Sequence, residues 1–275
     1  MADLPRFYSN SASSTYEQCP RRWKHKYVDK LPDPPGQAAV LGTFAHTVLE
    51  RLCQEPPRVR TVERARTLAS ETWKTTRTLD EFRALDLDDQ ELREFRWKAW
   101  RSIEGLWSLE DPSQVVVEAT ERRVTADLAG VPFVGYVDRL DRSDDGLTIT
   151  DYKTGRLPRA PDRPRSLGQV LLYAAAVENE TGERPSRARL LYLGNEVLET
   201  DVSADLLGAE TGRLADSWSR LGRDCTEGEF ATRPGPLCGW CPFVTRCPDG
   251  EQEVRSRIGA GRMRDDAPAR KALGI

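Results

Sequence analysis

The sequence predicts an α/β protein in which a helix, three strands, a second helix and a fourth strand follow one another. Apolar residues recur at helical spacing in 38–54, and two β-prone apolar runs flank a turn within 131–152. A second apolar helical stretch begins at Gly168, and a further β-prone run covers 188–193. This order of elements indicates a sheet flanked by helices.

Composition limits the classes of protein to consider. At 275 residues the chain can form one large domain, or a core with a helical subdomain. Hydrophobic residues make up 38% and charged residues 31%, and no apolar run approaches the roughly 20 residues of a membrane span. The first residues lack an apolar signal core, so we expect a cytoplasmic protein without membrane contact. Because the net charge is −3, nucleic acid would have to bind through a local basic patch.

The first elements are helical. Basic residues in 21–30 interleave with Trp23 and Tyr27, which suits either a nucleic-acid backbone with stacked bases or a solvated helix whose aromatic rings pack inward. The next helix, within 38–54, carries His46, and Gly42 lies one turn earlier and leaves room beside the imidazole. Its apolar stripe consists of Val40, Leu41, Phe44, Ala45, Val48 and Leu52.

A helical insertion is predicted next. Segments 61–78 and 87–109 have the pattern of two long helices, and the tryptophans of the second recur at spacings of three and seven, namely Trp97, Trp100 and Trp107. That spacing is typical of a face turned to a core. We find no catalytic pattern here and expect the insertion to be structural and to help shape a DNA channel.

The predicted sheet gathers charged residues. Residues 115–121 form its first strand, which carries Glu118 and Glu121. A hairpin turn of Ser-Asp-Asp-Gly sequence at 143–146 then joins two strands. Asp138 lies within the first hairpin strand, and Asp151 and Lys153 lie near the end of the second, on one face because side chains repeat every two residues.

Two carboxylates and an ammonium at one place suit a divalent cation and a phosphodiester. Hard carboxylate oxygens hold the cation, and a lysine can stabilise the charge that develops on the phosphate. Taken alone, Asp-x-Lys on a strand is more often a solvated, charged strand edge. The interpretation as a catalytic site therefore depends on the other motifs.

Together, these motifs resemble the RecB-like branch of the PD-(D/E)xK nuclease superfamily. The matching pattern, in order, is Gly42 with His46, Gly135 with Asp138, Asp151 with Lys153 and Gly155, and Gln169 with Tyr173, the last two being four apart on one helix face. The resemblance implies a restriction-endonuclease-like mixed sheet core flanked by helices. It also implies a site for Mg²⁺ or Mn²⁺ at His46, Asp138 and Asp151, a catalytic Lys153, and Gln169 and Tyr173 near the DNA and the active site. Relatives of this fold have an acid on the first strand near the metal, and we expect Glu118, in preference to Glu121, to be that acid.

Four of the six cysteines form a second pattern. Cys238, Cys241 and Cys247 have the spacing of a metal-binding triplet, and Cys19, followed by a proline, offers a fourth thiolate. Spacing alone leaves Zn²⁺ and an iron–sulfur cluster both open. The lone early cysteine and distal triplet resemble AddB-type and CRISPR-associated nucleases, which implies a [4Fe-4S] cluster that staples the N- and C-terminal regions. Cys53 and Cys225 are expected to be isolated, buried thiols.

The sequence therefore predicts a metal-dependent DNA nuclease, with exonuclease action preferred, in DNA repair, recombination or phage- or CRISPR-related processing. Its substrate would be DNA that is single-stranded or has single-stranded ends. No ATP-binding phosphate loop is present in the sequence, so coupling to a helicase would need a partner protein. The alternative is a non-catalytic or zinc-stabilised nucleic-acid-binding or adaptor protein on the same fold. The expected segments are N-terminal helices 1–54, helical insertion 55–112, nuclease core 113–225, cysteine-rich segment 226–250 and polar tail 251–275.

Overall fold

The computed structural model describes residues 2–275. The helices are α1 (Asn10–Gln18), α2 (Pro20–Trp23), α3 (Gln37–Gln54), α4 (Val62–Thr76), α5 (Asp80–Arg83), α6 (Asp89–Glu104), α7 (Arg163–Ser166), α8 (Gly168–Thr181), α9 (Ala204–Glu227), α10 (Pro248–Gly259) and α11 (Pro268–Leu273). The strands are β1 (Val116–Leu128), β2 (Val131–Ser143), β3 (Gly146–Lys153), β4 (Arg187–Tyr192) and β5 (Glu196–Asp201). The chain divides into two compact units, one of Pro34–Arg213 and one of the residues up to Asp33 together with Leu214–Ile275.

The larger unit contains a mixed five-stranded sheet in the order β1-β2-β3-β4-β5. Strands β3 and β4 are parallel because α8 carries the chain back between them, and the other neighbours are antiparallel. The predicted turn at 143–146 is confirmed, since Ser143 pairs with Gly146. The sequence prediction missed β5, whose six residues include three acidic side chains and only two apolar residues.

Helices cover the sheet because successive side chains of β3 point to opposite faces. Tyr152 packs into a cluster of apolar residues from α3, α4 and α6. Asp151 and Lys153 point the other way, where the Lys153 ammonium reaches Gln169 of α8. Helix α8 packs against β1, β2, β3 and β4, and its buried face is apolar from Val170 onward. The expected α/β core of a sheet with flanking helices is thereby confirmed.

The smaller unit has its own core. Trp23 is buried and stacks on Phe230, with ring centroids 6.0 Å apart and planes 11° from parallel. Tyr16 donates a 2.7 Å hydrogen bond to Asp224 of α9. Of the two interpretations of the segment 21–30, the structure supports inward packing for Trp23, which is not exposed to stack on bases.

The last 25 residues differ from the expected polar tail with little to bury. Helices α10 and α11 occupy most of this segment, and their side chains complete a small apolar cluster. The buried members of the cluster are Val244, Val254, Met263, Ala267 and Ala269. A segment rich in Arg and Asp thus still buries apolar side chains, because one helical face needs only a few of them.

Within the described residues, no helix is both long enough and apolar enough to span a bilayer.

A close backbone contact in the larger unit gives a first prediction. A Cβ built on Gly105, at the end of α6, would lie 2.4 Å from the backbone nitrogen of Gly194 in the β4–β5 turn. Gly105→Ala should therefore lower the free energy of unfolding by about 1–3 kcal/mol, as overpacking does. Thermal denaturation measures this.

The matched control is Gly208→Ala in α9, where a Cβ would meet no atom within 4 Å. This change should raise stability by about 0.5–1 kcal/mol, because alanine loses less backbone entropy than glycine in a helix. Equal melting temperatures for the two variants would contradict the contact.

Candidate metal-dependent active site

The candidate site lies where β2 and β3 separate. Their antiparallel pairing ends at Arg139 and Thr150, and the last residues of β3 pair with β4. Beyond that point the backbone N–H of Tyr152 donates to a carboxylate oxygen of Asp138 at 2.8 Å. The divergence of the strands thus opens a fork that holds the carboxylates of Asp138 and Asp151.

A histidine and two carboxylates converge at this fork. His46 Nδ1 of α3 lies 3.3 Å from Asp138 Oδ2. Ligand atoms of His46, Glu121 and Asp138 all lie within 4.8 Å of one another, so the three side chains could close on one ion. One imidazole nitrogen with carboxylate oxygens is a donor set that suits Mg²⁺ or Mn²⁺, with the nitrogen favouring Mn²⁺. The residues present therefore fit a divalent cation.

The first-strand acid at this site is Glu121, and the preference for Glu118 was wrong. The register between β1 and β2 shifts at Glu118, which is the extra residue of a β-bulge and forms an ion pair with Arg142 at 2.7 Å. After the bulge, Glu121 lies opposite Asp138, between the pairs Thr120–Arg139 and Arg122–Val137. Its φ of 45° is left-handed, a rare conformation for a glutamate in a strand, and it directs the carboxylate to the fork.

The other predicted residues form a continuous chain of polar contacts beside the fork. The Lys153 ammonium lies 2.7 Å from Asp151 Oδ2 and donates to Gln169 Oε1 at 2.8 Å. The Gln169 amide in turn donates to the Tyr173 hydroxyl at 2.8 Å. Since both contacts of the ammonium are with acceptors, its position is fixed although its side chain is 29% exposed. A solvated strand edge would not hold the lysine in this way.

Gly135 makes room for this chain. A Cβ at Gly135 would lie 2.5 Å from Cε1 of Tyr173, so only glycine lets α8 approach β2 here. The Tyr173 ring also packs on Phe133. By contrast, a Cβ at Gly42 would make an ordinary 3.4 Å contact with the Thr154 hydroxyl, so this glycine is not sterically required in the same way.

The charges at the fork shift one another's pKa values. Burial raises the pKa of Asp151 to about 6; the Lys153 ammonium opposes the rise, and the Asp138 carboxylate adds to it. Burial alone would lower the pKa of His46, but the hydrogen bond and charge of Asp138 outweigh it and raise the pKa. Burial also raises the pKa of Glu121, and Asp138 and Glu50 add to that rise. The fork therefore carries excess negative charge that a cation would neutralise.

A buried network supports the site and was missed in the sequence. The fully buried guanidinium of Arg139 donates to the Tyr152 hydroxyl at 2.8 Å and pairs with Glu110 at 2.6 Å and Asp141 at 2.7 Å. The Tyr152 ring packs edge-on against His46, with centroids 5.9 Å apart. Tyr152 thus orients His46 with its ring and Asp138 with its backbone N–H. Its trace in the sequence is the repeated Asp-Arg pair of β2, Asp138-Arg139 and Asp141-Arg142.

The smaller unit brings the four predicted cysteines to one pocket, lined by Cys19, Cys238, Cys241 and Cys247. Backbone N–H groups of Gly235 and Gly250 point at the sulfurs of Cys238 and Cys247, at 3.4 and 3.3 Å. A Cβ on Gly250 would approach the Cys247 sulfur to 3.2 Å, so glycine leaves this space open. Among residues 2–275, no three cysteine sulfurs lie within 4.8 Å of one another. Cys53 and Cys225 are buried elsewhere, as expected.

Comparison with known proteins identifies the family. The sequence profile of the PD-(D/E)XK nuclease superfamily matches residues 8–248, which is most of the chain. No curated protein matches the sequence.

Two solved structures illustrate the likeness in fold. A proposed exonuclease from Eubacterium rectale is 14% identical to this chain. The alignment covers 88% of this chain and 88% of that one, with a TM-score of 0.56. A second structure, of the protein SSO0001, is 14% identical; the alignment covers 91% of this chain and 90% of that one, with a TM-score of 0.39. At these identities the first likeness concerns the fold alone.

The raised pKa of Asp151 predicts how stability without metal depends on pH. A carboxyl whose pKa is higher in the folded state stabilises the fold while protonated, and that contribution is lost as pH rises from the ordinary value near 3.8 through about 6. In a chelator, Asp151→Asn should therefore raise the melting temperature relative to wild type at pH 8, and the gain should shrink towards pH 4.5.

The control is Asp144→Asn, at an exposed position in the hairpin turn. Its melting temperature should follow wild type at both pH values. A gain for Asp151→Asn that is the same at both pH values would show that ionisation of this carboxyl does not destabilise the fold.

Proposed function

Because the chain belongs to the PD-(D/E)XK nuclease superfamily, we propose that it is a divalent-metal-dependent deoxyribonuclease of the RecB-like branch. The observation that carries the proposal is the convergence of His46, Glu121 and Asp138 beside the contacts that join Asp151 to Lys153. A non-catalytic module would not need both acids and the lysine in one fork, and all of them are present here.

Asp138, Asp151 and His46 would hold the cation, with Glu121 as a further carboxylate. When bound, Mg²⁺ or Mn²⁺ supplies positive charge that neutralises the phosphodiester and acidifies water. The fit rests on the donor set and on its surplus of negative charge. Three carboxylates and one imidazole close together repel one another unless a cation or bound protons compensate their negative charge.

Lys153 would stabilise the negative charge that develops on the phosphate during hydrolysis. Asp151 and Gln169 both accept from its ammonium, so the lysine needs no reorganisation to present its charge. Tyr173 fixes the amide of Gln169 and, with it, the position of Nζ. We assign Gln169 and Tyr173 positions close to the DNA because they continue this chain of contacts away from the fork.

We further propose exonuclease action on DNA that is single-stranded or has single-stranded ends, in DNA repair, recombination or phage- or CRISPR-related processing. The choice is motivated by the description of the Eubacterium rectale protein, which has this fold, as a proposed exonuclease. A helicase would act as a separate partner protein. End-labelled linear DNA and circular DNA, incubated with each metal, test the choice, because only an endonuclease cuts the circle.

The cysteine pocket is proposed to bind a [4Fe-4S] cluster through Cys19, Cys238, Cys241 and Cys247. The backbone N–H groups of Gly235 and Gly250 suit metal-bound thiolates. The choice of a cluster over Zn²⁺ follows from the resemblance of the cysteine pattern to that of AddB-type and CRISPR-associated nucleases. The cluster would cross-link segments far apart in sequence, while Zn²⁺ remains the alternative outcome.

Substitution at the fork tests the nuclease. Asp138→Ala or Asp151→Ala should abolish cleavage of linear DNA in Mg²⁺ and in Mn²⁺, since each removes a carboxylate from the cation. Lys153→Met should lower kcat by about 100-fold or more while the protein still binds Mn²⁺, because the ammonium is not a ligand. Cleavage rates and Mn²⁺ titration calorimetry measure the two effects.

Asp144→Ala, in the exposed turn, serves as the control and should cleave DNA at the wild-type rate. Chelation should stop cleavage, and Mn²⁺ should support it at least as well as Mg²⁺. If both aspartate variants retained wild-type activity, this fork would not be the active site.

Metal content tests the cluster. Protein purified without oxygen should be brown and hold about four irons with matching sulfide. Replacement of any of the four pocket cysteines by alanine should lower iron content, stability and solubility, because metal–thiolate bonding contributes to folding. Cys225→Ala, at a buried cysteine outside the pocket, should do far less. A colourless, fully active preparation with one zinc per chain would exclude the cluster.

A further inference from the structure

Helices α4 and α6 form a second pocket with no assigned role. Its volume is about 450 Å³, and it is lined from both helices by residues at spacings of three and four. On α4 these are Arg66, Ala69, Ser70 and Trp73; on α6 they are Arg93, Arg96, Trp97 and Trp100. Each helix therefore presents one face, made of four residues over two turns, to the pocket. The apolar side chains of Phe95 and Ala99 of α6 and Phe44 of α3 complete the lining.

The arginines of this pocket differ from their neighbours on the same helices. Arg64 of α4 is paired with Glu55, and Arg101 of α6 with Glu104. In the described part of the chain, residues 2–275, no carboxylate lies within 4 Å of the guanidinium groups of Arg66, Arg93 or Arg96. Glu63, one turn before Arg66, interacts with it only at longer range. The arginines without such a pair on α4 and α6 are thus the ones that line the pocket.

The three indole rings of the pocket differ in their contacts and in how far they are exposed to solvent. Arg66 lies over the ring of Trp100 at 4.9 Å, and Arg96 lies over that of Trp73 at 5.4 Å. Phe95 is buried beneath them, and Trp73 packs edge-on against Phe44. Trp97, in contrast, is 63% exposed. The guanidinium groups of Arg66 and Arg96, which lie over aromatic rings, are therefore close to an exposed indole, that of Trp97, which can pack on a ligand.

We propose that this pocket is an accessory binding site for single-stranded DNA, a proposal that rests on the nuclease function. Its guanidinium groups would contact phosphates, and Trp97 would stack on an unpaired base. A protein of net charge −3 needs a local basic patch to bind a polyanion, and unpaired arginines provide one. The insertion between α3 and the sheet thus takes part in binding substrate.

Single-stranded DNA fits better than duplex DNA or an acidic peptide. A base pair in a duplex stacks on its neighbours, so its faces are not accessible to Trp97. An acidic peptide offers carboxylates to the arginines but no planar rings to the indoles. Only unpaired nucleotides carry both the anion and the exposed ring that the two helix faces together would bind.

Fluorescence anisotropy of a labelled oligothymidylate in chelator tests the site without cleavage. Trp97→Ala should weaken binding by at least about fivefold, the lower end of base-stacking effects. Arg93→Gln and Arg96→Gln should each weaken binding several-fold and reduce the slope of log affinity against log salt by about 0.7 per lost phosphate contact. Trp97→Ala should leave that slope unchanged.

Arg101→Gln is the matched control, because its guanidinium is paired with Glu104 on the same helix. It should bind like wild type. Affinities of the three pocket variants equal to that of Arg101→Gln would overturn the proposal. Equally tight binding of a duplex, or of poly-glutamate, that is weakened to the same extent by Trp97→Ala would show a general polyanion or peptide site and would also overturn it.

Hydrolysis of a small phosphodiester, such as thymidine 5′-p-nitrophenyl phosphate, separates this proposal from the nuclease function. Such a substrate would react at the fork, which shares no residue with the pocket lining, so the pocket variants should hydrolyse it at the wild-type rate. A wild-type protein that binds oligothymidylate through the pocket but hydrolyses neither substrate would exclude the nuclease function and retain the binding site.

Discussion

The hydrogen bond from the Tyr152 backbone to the Asp138 carboxylate holds the candidate site together. Where β2 and β3 separate, a buried N–H on β3 loses its strand partner and must find another acceptor. The Asp138 side chain takes that role and is thereby fixed beside Asp151. The same residue, Tyr152, packs on His46 and is anchored by Arg139. The local separation of β2 from β3 thus determines both the opening of the fork and the orientation of the acidic side chains within it.

The two faces of β3 differ in how completely their charged side chains are paired with charges of opposite sign. On one face, Arg139 is buried between Glu110 and Asp141, and Arg189 also pairs with Glu110, so two arginines balance two carboxylates. On the other, Lys153 pairs with Asp151, while the Asp138 carboxylate lies against His46 and Glu121 lies close to both. The first arrangement is electrically complete and stabilises the sheet. The second is deficient in positive charge, which is the property of a site that binds cations.

The arginines of the helical insertion also differ in whether a carboxylate lies beside them. Several arginines of the larger unit are paired with carboxylates, including Arg51, Arg64 and Arg142. Arginines without a carboxylate within 4 Å line the α4–α6 pocket among indoles, in the residues that the structure describes. Complementary patches of opposite charge, acids at the fork and cations on the insertion, suit a metal and a polyanion respectively.

The sequence by itself determined the elements and the residue types of the site. Periodicity identifies the helix of His46 and the helix of Gln169, and the turn residues at 143–146 fix the hairpin that carries Asp138 and Asp151, because these signals act over a few neighbouring residues. Tertiary structure decided what depends on distant pairing. The bulge at Glu118, which brings Glu121 to Asp138, arises only when β1 pairs with β2, and a single inserted residue exchanges the faces of a strand. The fork, the anchoring of Tyr152 and the meeting of the helix faces that carry the Arg and Trp side chains likewise need segments that no local pattern connects.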